Sequence, residues 1–134
     1  MDPGGISVER TLPIDGVLLE DVLLRLRRDS PVSALRWTLG TRGAAEIDVC
    51  FAATGPAWTT GARLWNPTGM AVTTATLRLV ATSADEVHMT LEPTVPSASE
   101  KQSSETAELA QATADEFAEE LLWHATRARL APRG

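Results

Sequence analysis

The chain has few of the residues on which most metal sites and catalytic centres depend. Its 134 residues include one cysteine, Cys50, and two histidines, His88 and His124. A single cysteine excludes an intrachain disulfide and supplies too few thiolates for a cysteine-based zinc site. Neither H-x-x-x-H nor H-E-x-x-H spacing occurs, and there is no G-x-S-x-G, Walker loop or G-x-G-x-x-G. We therefore expect no bound metal and no cofactor.

Long apolar runs and an excess of positive charge are also missing. No stretch approaches the length of about 18 apolar residues that a membrane span needs. Residues 1–5 show neither the basic nor the apolar region of a signal peptide. The formal net charge is −6, whereas phosphate binding needs a basic surface. These features predict an acidic, cytoplasmic protein that neither inserts into a membrane nor has nucleic acid as its main partner.

The first quarter of the chain predicts a strand followed by a helix. Apolar and polar residues alternate from Gly5 to Pro13, which is the period of a half-buried strand. Asp15 is a suitable N-cap for the segment from Val17 to Arg28, where apolar residues recur at helical spacing. Pro31 follows closely and is expected to stop the helix.

The middle of the chain predicts an antiparallel sheet. The predicted strands cover residues 34–40, 45–53, 58–65, 70–81 and 86–92. All of their connections are short, which favours an antiparallel meander over parallel crossovers. Gly61 lies inside the third of these strands and predicts a bulge or a kink. The turn that precedes the longest strand is assigned to Asn66-Pro67-Thr68-Gly69.

The last third of the chain predicts a polar, proline-containing loop and one long helix. The loop covers residues 93–103, and the helix begins somewhere between Ser99 and Thr106. Its apolar stripe consists mostly of small residues: Ala110, Ala114, Phe117, Ala118, Leu121, Leu122 and Ala125. Residues 1–134 are therefore expected to form a single α+β domain in β-α-β(4–6)-α order. In it, a curved antiparallel sheet grips the C-terminal helix.

This layout resembles the START-like superfamily of helix-grip proteins, which includes polyketide cyclases and the birch-pollen allergen. The resemblance rests on Leu12-Pro13-Ile14-Asp15, Val22-Leu23-Leu24, Leu35-Arg36-Trp37, the long strand 72–79 with its return 86–92, and the terminal helix. It implies a hydrophobic cavity between the sheet and that helix. Members bind lipids, polyketides, hormones or quinones, and some catalyse aromatisation, cyclisation or dehydration. No catalytic residue carries over, because this chain contains no matching motif.

Candidate ligand-binding residues are aromatic, apolar or hydroxyl-bearing residues of the strands and the terminal helix. They are Trp37, Trp58, Trp65, Met70, Thr74, Phe117 and Leu121. Indole rings on a concave face suit an apolar or aromatic ligand, although ordinary core filling explains them as well. The leading hypothesis is binding of a small hydrophobic molecule such as a lipid or a polyketide, without turnover.

Two other hypotheses remain open at this point. An aromatase/cyclase-like enzyme would need an acid or base such as Asp48 or His88 facing the cavity. An interaction module would need no cavity and would form a homodimer through Trp123, which lies on the charged side of the terminal helix. The direction in which each of these side chains points separates the hypotheses.

Overall fold

The computed structural model describes residues 7–30, 34–65, 72–94 and 100–130. These ranges contain seven strands and two α-helices: β1 (Val8–Leu12), α1 (Leu19–Asp29), β2 (Ala34–Thr38), β3 (Ala44–Asp48), β4 (Ala52–Thr54), β5 (Ala57–Trp65), β6 (Val72–Ser83), β7 (Glu86–Pro93) and α2 (Glu100–Leu130). Two short 3₁₀ turns, Gly16–Leu18 and Gly40–Arg42, precede α1 and β3. No helix in these ranges is long and apolar enough to cross a bilayer.

The strands form one curved antiparallel sheet with the order β1-β7-β6-β5-β3-β2, in which β4 also pairs with β5. Helix α2 packs against β1, β7 and α1 on the concave side of this sheet. The predicted α+β fold, a sheet gripping a long C-terminal helix, is confirmed. Six strands follow α1, which is the upper end of the predicted range.

The core lies between the sheet and α2 because the strands alternate between the two faces. Leu77 of β6 pairs with Leu91 of β7, and Leu79 pairs with Met89. All four are at most 1% exposed. Phe117 and Leu121 of α2 are also fully buried. Side chains alternate along a strand, so the residue between Leu77 and Leu79 and the residue between Met89 and Leu91 point to the opposite face of the sheet.

Helix α1 begins two residues later than predicted. Asp15 does act as a cap, but its Oδ1 accepts a hydrogen bond of 2.9 Å from the Val17 amide and so caps the 3₁₀ turn. The α-helix proper starts at Leu19 and buries one apolar stripe: Leu19, Val22, Leu23 and Leu26. This stripe faces the body of the protein, while Leu24 stays 55% exposed.

The predicted strand 45–53 is divided into β3 and β4. Ala44 pairs with Trp65 and Ala52 pairs with Thr59. Ala44 and Ala52 are eight positions apart on their side of the ladder, but their partners Trp65 and Thr59 are only six apart on β5, so the segment between β3 and β4 contains two extra residues. The Asp48 carboxylate accepts a hydrogen bond from the Cys50 amide at 2.8 Å, which stabilises the loop formed there.

The irregularity predicted at Gly61 therefore lies in the neighbouring chain segment. Strand β5 pairs with β6 from Ala57 to Trp65 without a change of register, and Gly61 faces Thr76 within that ladder. The prediction of a bulge at Gly61 itself was wrong, because the extra residues belong to the β3–β4 side.

The remaining boundaries differ by a few residues. Strand β6 is described from Val72 to Ser83, so it ends two residues later than predicted, and positions 70 and 71 lie outside the described residues. Helix α2 starts at Glu100, at the early end of the predicted interval. The predicted turn 66–69 and the candidate Met70 lie outside the described residues.

Candidate functional site

Three aromatic side chains meet on the concave side of the sheet. The rings of Trp37 and Phe117 are nearly perpendicular, with centroids 6.2 Å apart. The rings of Phe51 and Phe117 are nearly parallel, with centroids 6.1 Å apart. Phe117 is fully buried, whereas Trp37 and Phe51 are half-buried. We call Trp37, Phe51 and Phe117 the aromatic cluster; it is buried on the helix side and accessible on the strand side.

Local sequence explains why the cluster forms. Trp37 occupies an inward position of β2, where it pairs with the small Ala45 of β3. Phe117 projects from a stripe of α2 whose neighbours Ala114 and Ala118 are small. Small residues allow the helix to lie close to the sheet, and the one large ring then fills the space that remains.

Trp58 extends this aromatic surface along β5. It pairs with Leu79 of β6 and with Ala53 of β4, so it shares the inward face with the core leucines. Its side chain packs against the core but stays half-buried. Leu39, which follows β2, is half-buried in the same way.

The buried hydroxyl groups near this surface are already hydrogen-bonded within the protein. The Thr60 hydroxyl donates to the Asp48 carbonyl at 2.9 Å. The hydroxyl of Thr113 on α2 donates to the Leu109 carbonyl at 2.7 Å. Among the described residues, no buried side-chain nitrogen or oxygen lacks a hydrogen-bond partner. The buried hydroxyl groups of Thr60 and Thr113 are therefore engaged within the protein.

An ion pair connects the helix to the edge of the sheet. Arg10 takes an inward position on β1, opposite Met89, and its Nε donates to Asp115 Oδ1 of α2 at 2.9 Å. The two side chains are 34% and 65% exposed, so solvent screens the pair, and exposed pairs contribute about 0–1 kcal/mol. The pair orients α2 over β1 more than it stabilises the fold.

Four of the seven predicted ligand-binding residues lie on the concave side. Trp37 and Trp58 are half-buried there, and Phe117 and Leu121 reach the same side from α2 with no exposed surface. Because Phe117 and Leu121 are one helical turn apart, they face the sheet together.

Trp65 and Thr74 lie on the opposite, outer face of the sheet. Their chain neighbours Leu64 and Ala75 are buried, and alternation directs Trp65 and Thr74 outward. The Arg36 guanidinium lies 5.8 Å from the centroid of the Trp65 ring on that face. These two residues are therefore not brought together with the aromatic cluster.

The acid and base candidates also lie on the outer face. Asp48 is exposed, and its carboxylate is engaged by the Cys50 amide. His88 pairs with Val80 across the β6–β7 ladder, and its Nε2 lies 3.7 Å from Glu9 Oε1. Neither side chain is directed toward the aromatic cluster.

Phe51 is the member of the cluster that was not among the predicted ligand-binding residues. A signal for it exists in the sequence, since Phe51 alternates with Ile47 and Val49 and so shares their inward face. What the alternation does not show is the contact with Phe117, which needs the tertiary placement of α2.

Comparison with known proteins yields a structural similarity at low sequence identity. No family model matches the chain, and no curated protein matches it. Among solved structures, it is similar to DynU16, described as a protein in the dynemicin biosynthetic locus, at 12% identity and a TM-score of 0.47. The aligned region covers 90% of this chain and 46% of that one, so this chain spans less than half the length of DynU16.

Proposed function

We propose that the protein binds a small hydrophobic or aromatic molecule, such as a lipid or a polyketide, between the concave face of the sheet and α2, without turnover. The observation that carries this proposal is the aromatic cluster. Two of its rings, Trp37 and Phe51, remain half-buried over the fully buried Phe117. Concave sites lined by aromatic and apolar side chains are the usual binding sites of small apolar molecules.

The polar contacts described above indicate what kind of ligand fits. Thr60 and Thr113 use their hydroxyl donors within the protein. A charged ligand group placed there would lose its hydration without gaining a partner, which is unfavourable. The proposed ligand is therefore uncharged where it contacts the cluster, and it is selected by shape and apolar area.

The placement of the acid and base candidates favours binding over aromatase/cyclase-like catalysis. A general acid or base must come within hydrogen-bond reach of the group it protonates or deprotonates. Asp48 and His88 lie on the outer face, on the far side of the sheet from the cluster. Our proposal therefore assigns no catalytic role to either residue.

Binding of N-phenyl-1-naphthylamine, an uncharged aromatic dye, tests the proposal. We expect saturable fluorescence enhancement with the wild-type protein, and a Kd raised about tenfold by Trp37→Ala or Phe51→Ala, equivalent to ~1.4 kcal/mol for one lost aromatic contact. Trp65→Ala is the matched control, because it removes an indole from the outer face and should leave the Kd unchanged within about twofold.

Two results of this titration would contradict the proposal. One is the absence of saturable binding to the folded wild-type protein. The other is an equal loss of affinity in Trp37→Ala and Trp65→Ala, since that would place the dye outside the concave face. Native mass spectrometry of protein from its own host would add the identity of any co-purifying molecule. The same spectrum would reveal a homodimer, which stays a prediction based on Trp123.

A further inference from the structure

One tryptophan lies on the solvent side of α2, away from the aromatic cluster. Trp123 is 52% exposed, whereas the other three tryptophans of the chain are half-buried. It comes two positions after the fully buried Leu121, which is a rotation of about 200° around the helix axis. Its indole therefore points away from the sheet and leaves apolar area in water, which is unfavourable in a monomer.

A hollow of about 440 Å³ opens directly beside this indole. The described residues that line it are Asp29, Ser30, Leu35, Glu120, Trp123 and His124. Leu35 offers apolar surface, and the carboxylates of Asp29 and Glu120 offer acceptors. An indole suits such a hollow because it is apolar and has a single N–H donor.

The surface around Trp123 is complementary to itself in shape. It carries an exposed side chain, the indole, next to a hollow of which that indole is one wall. A two-fold rotation can place the projecting side chain of each copy over the hollow of the other copy. None of the hollow's described lining residues belongs to the aromatic cluster, so this surface is separate from the ligand site proposed above.

Opposite charges lie at equal distances on the two sides of Trp123. Glu119 precedes it by four positions and Arg127 follows it by four, and both side chains are exposed on the same side of the helix. The Arg127 guanidinium lies 4.5 Å from the centroid of the Trp123 ring. Within the part of the chain that the structure describes, neither Glu119 nor Arg127 forms an ion pair. Both charges are thus available to a second molecule.

Antiparallel packing of two α2 helices about a two-fold axis at Trp123 would pair these charges. In this register, a residue n positions before Trp123 faces the residue n positions after it in the other copy. Glu119 of each copy then faces Arg127 of the other, and symmetry forms the pair twice. A parallel arrangement would place Glu119 opposite Glu119, which is unfavourable.

The same register keeps the other acidic residues of this side of α2 apart. Glu120 lies three positions before Trp123 and faces Thr126, and Glu116 lies seven positions before it and faces a leucine. A register centred on Glu119 or on Glu120 would instead place that glutamate opposite its own copy. Charge complementarity therefore favours the register that is centred on Trp123.

We propose that the protein forms a weak symmetric homodimer, in which the α2 helices of two copies pack antiparallel and centre on Trp123. Each indole lies in the hollow of the other copy, against Leu35. Each Arg127 lies between its own indole and Glu119 of the other copy. Tryptophan and arginine are among the residue types that contribute most to binding at interfaces. Because one helix per copy is a small contact, we expect a Kd of about 1–100 µM.

Sedimentation equilibrium of the full chain tests the dimer directly. The average mass should rise from that of the monomer toward twice that value as the concentration increases from about 1 to 500 µM. Trp123→Ala should raise the dimer Kd at least about tenfold, because it removes the central side chain of both copies. The same variant should leave the Kd for N-phenyl-1-naphthylamine unchanged within about twofold, since Trp123 is not in the aromatic cluster.

Charge reversal tests the register. Glu119→Arg and Arg127→Glu each place like charges opposite each other twice, so each should raise the dimer Kd at least about tenfold. The double variant, Glu119→Arg with Arg127→Glu, restores opposite charges and keeps the net charge of the chain. We expect its Kd to return to within about threefold of the wild-type value.

Glu108→Arg is the matched control for Glu119→Arg. It makes the same change of charge at another exposed position of α2, but it lies 15 residues from Trp123, or about 22 Å along the helix. Its dimer Kd should stay within about twofold of the wild-type value. Far-UV circular dichroism of each variant establishes that it is folded before its association is compared.

Three outcomes would overturn the proposal. The first is a monomer at every concentration up to about 500 µM, which would leave the surface around Trp123 to a different partner. The second is a double variant that associates no better than the two single variants. The third is an equal loss of association in Glu108→Arg and Glu119→Arg, because the effect would then depend on total charge and not on the register.

Discussion

At the residue scale, Phe117 joins the stability of the fold to the candidate site. It has no exposed surface, and it contacts Trp37 of β2 and Phe51 of the β3–β4 segment. One side chain of α2 thus holds two separate parts of the sheet. Loss of its ring would leave a cavity beneath both half-buried aromatic residues.

We expect Phe117→Ala to lower the free energy of unfolding by about 3–5 kcal/mol, the usual cost of deleting a buried ring. Urea denaturation followed by tryptophan fluorescence measures this change. Phe117→Leu keeps most of the volume and should cost less than about 1.5 kcal/mol. A loss below about 1 kcal/mol in Phe117→Ala would contradict the packing of the aromatic cluster.

The sequence could not show which tryptophans lie on the concave face of the sheet and which lie on the outer face. Trp58 and Trp65 both lie on β5, seven positions apart, and this odd separation places them on opposite faces. The pattern of β5 could therefore separate the two residues, but it could not show which face is concave. The position of α2 decides this, because it covers the face that carries Trp58.

At the scale of elements, the break between β3 and β4 determines where Phe51 lies. The two extra residues bulge out of the sheet, and the Thr60 hydroxyl of β5 donates to the carbonyl of Asp48 at 2.9 Å beside them. Thr60 is 9% exposed, so this hydrogen bond is shielded from water. It closes the gap that the two extra residues leave in the ladder.

Thr60→Val keeps the shape of this side chain and removes its donor. We expect a loss of about 1–3 kcal/mol in unfolding free energy, because the shielded carbonyl of Asp48 then lacks this partner. Thr59→Val is the matched control on the outer face, where the same change should stay within about 0.5 kcal/mol. Thermal or urea unfolding of the pair gives the comparison, and equal effects in both would show that the buried hydrogen bond has no special role.

The division between β3 and β4 cannot be detected from the alternation of apolar residues, and the reason is geometric. An insertion of two residues is a whole number of strand periods, so Ile47, Val49 and Phe51 keep alternating through it. A one-residue insertion would have reversed the faces and altered the pattern. Period 2 therefore predicts the inward face of Phe51 correctly and cannot reveal that the strand is divided.

At the scale of the whole molecule, the sheet is completed by residues that are distant in sequence. Val8 of β1 pairs with Leu91 of β7, and α2 then covers the concave face. The buried residues of β6 and β7 belong to the same hydrophobic core as Phe117 and Leu121 of α2, so the sheet without this helix would expose part of that core to water. A sheet with one apolar face needs a second layer to be stable.

We therefore expect a fragment of residues 1–99, which lacks α2, not to fold. Its far-UV circular dichroism should show no cooperative thermal transition, and its amide NMR spectrum should lack dispersion, in contrast to the full chain measured at the same concentration. A cooperative transition in the fragment would mean that the sheet is stable without its helix, contrary to the packing of Leu77 and Leu79.

The order of the elements and the inward residues of most strands can be predicted from the amino-acid sequence alone. Both follow from local periodicity: alternation along β6 and β7, and the apolar stripe of α2 from Ala110 to Leu121. Turn-forming residues between the strands restricted the topology to an antiparallel meander. These signals are local, so they can be read without knowing where any element lies in space.

Which side chains meet depends on how the elements pack in three dimensions. The placement of α2 identifies the inner face of the sheet, brings Phe117 to Trp37, and leaves Trp65 and Thr74 on the other face. It also placed His124 beside Asp29, from near opposite ends of the chain. Contacts between residues so far apart have no periodic signature, because they depend on how complete elements pack and not on the spacing of residues within one of them.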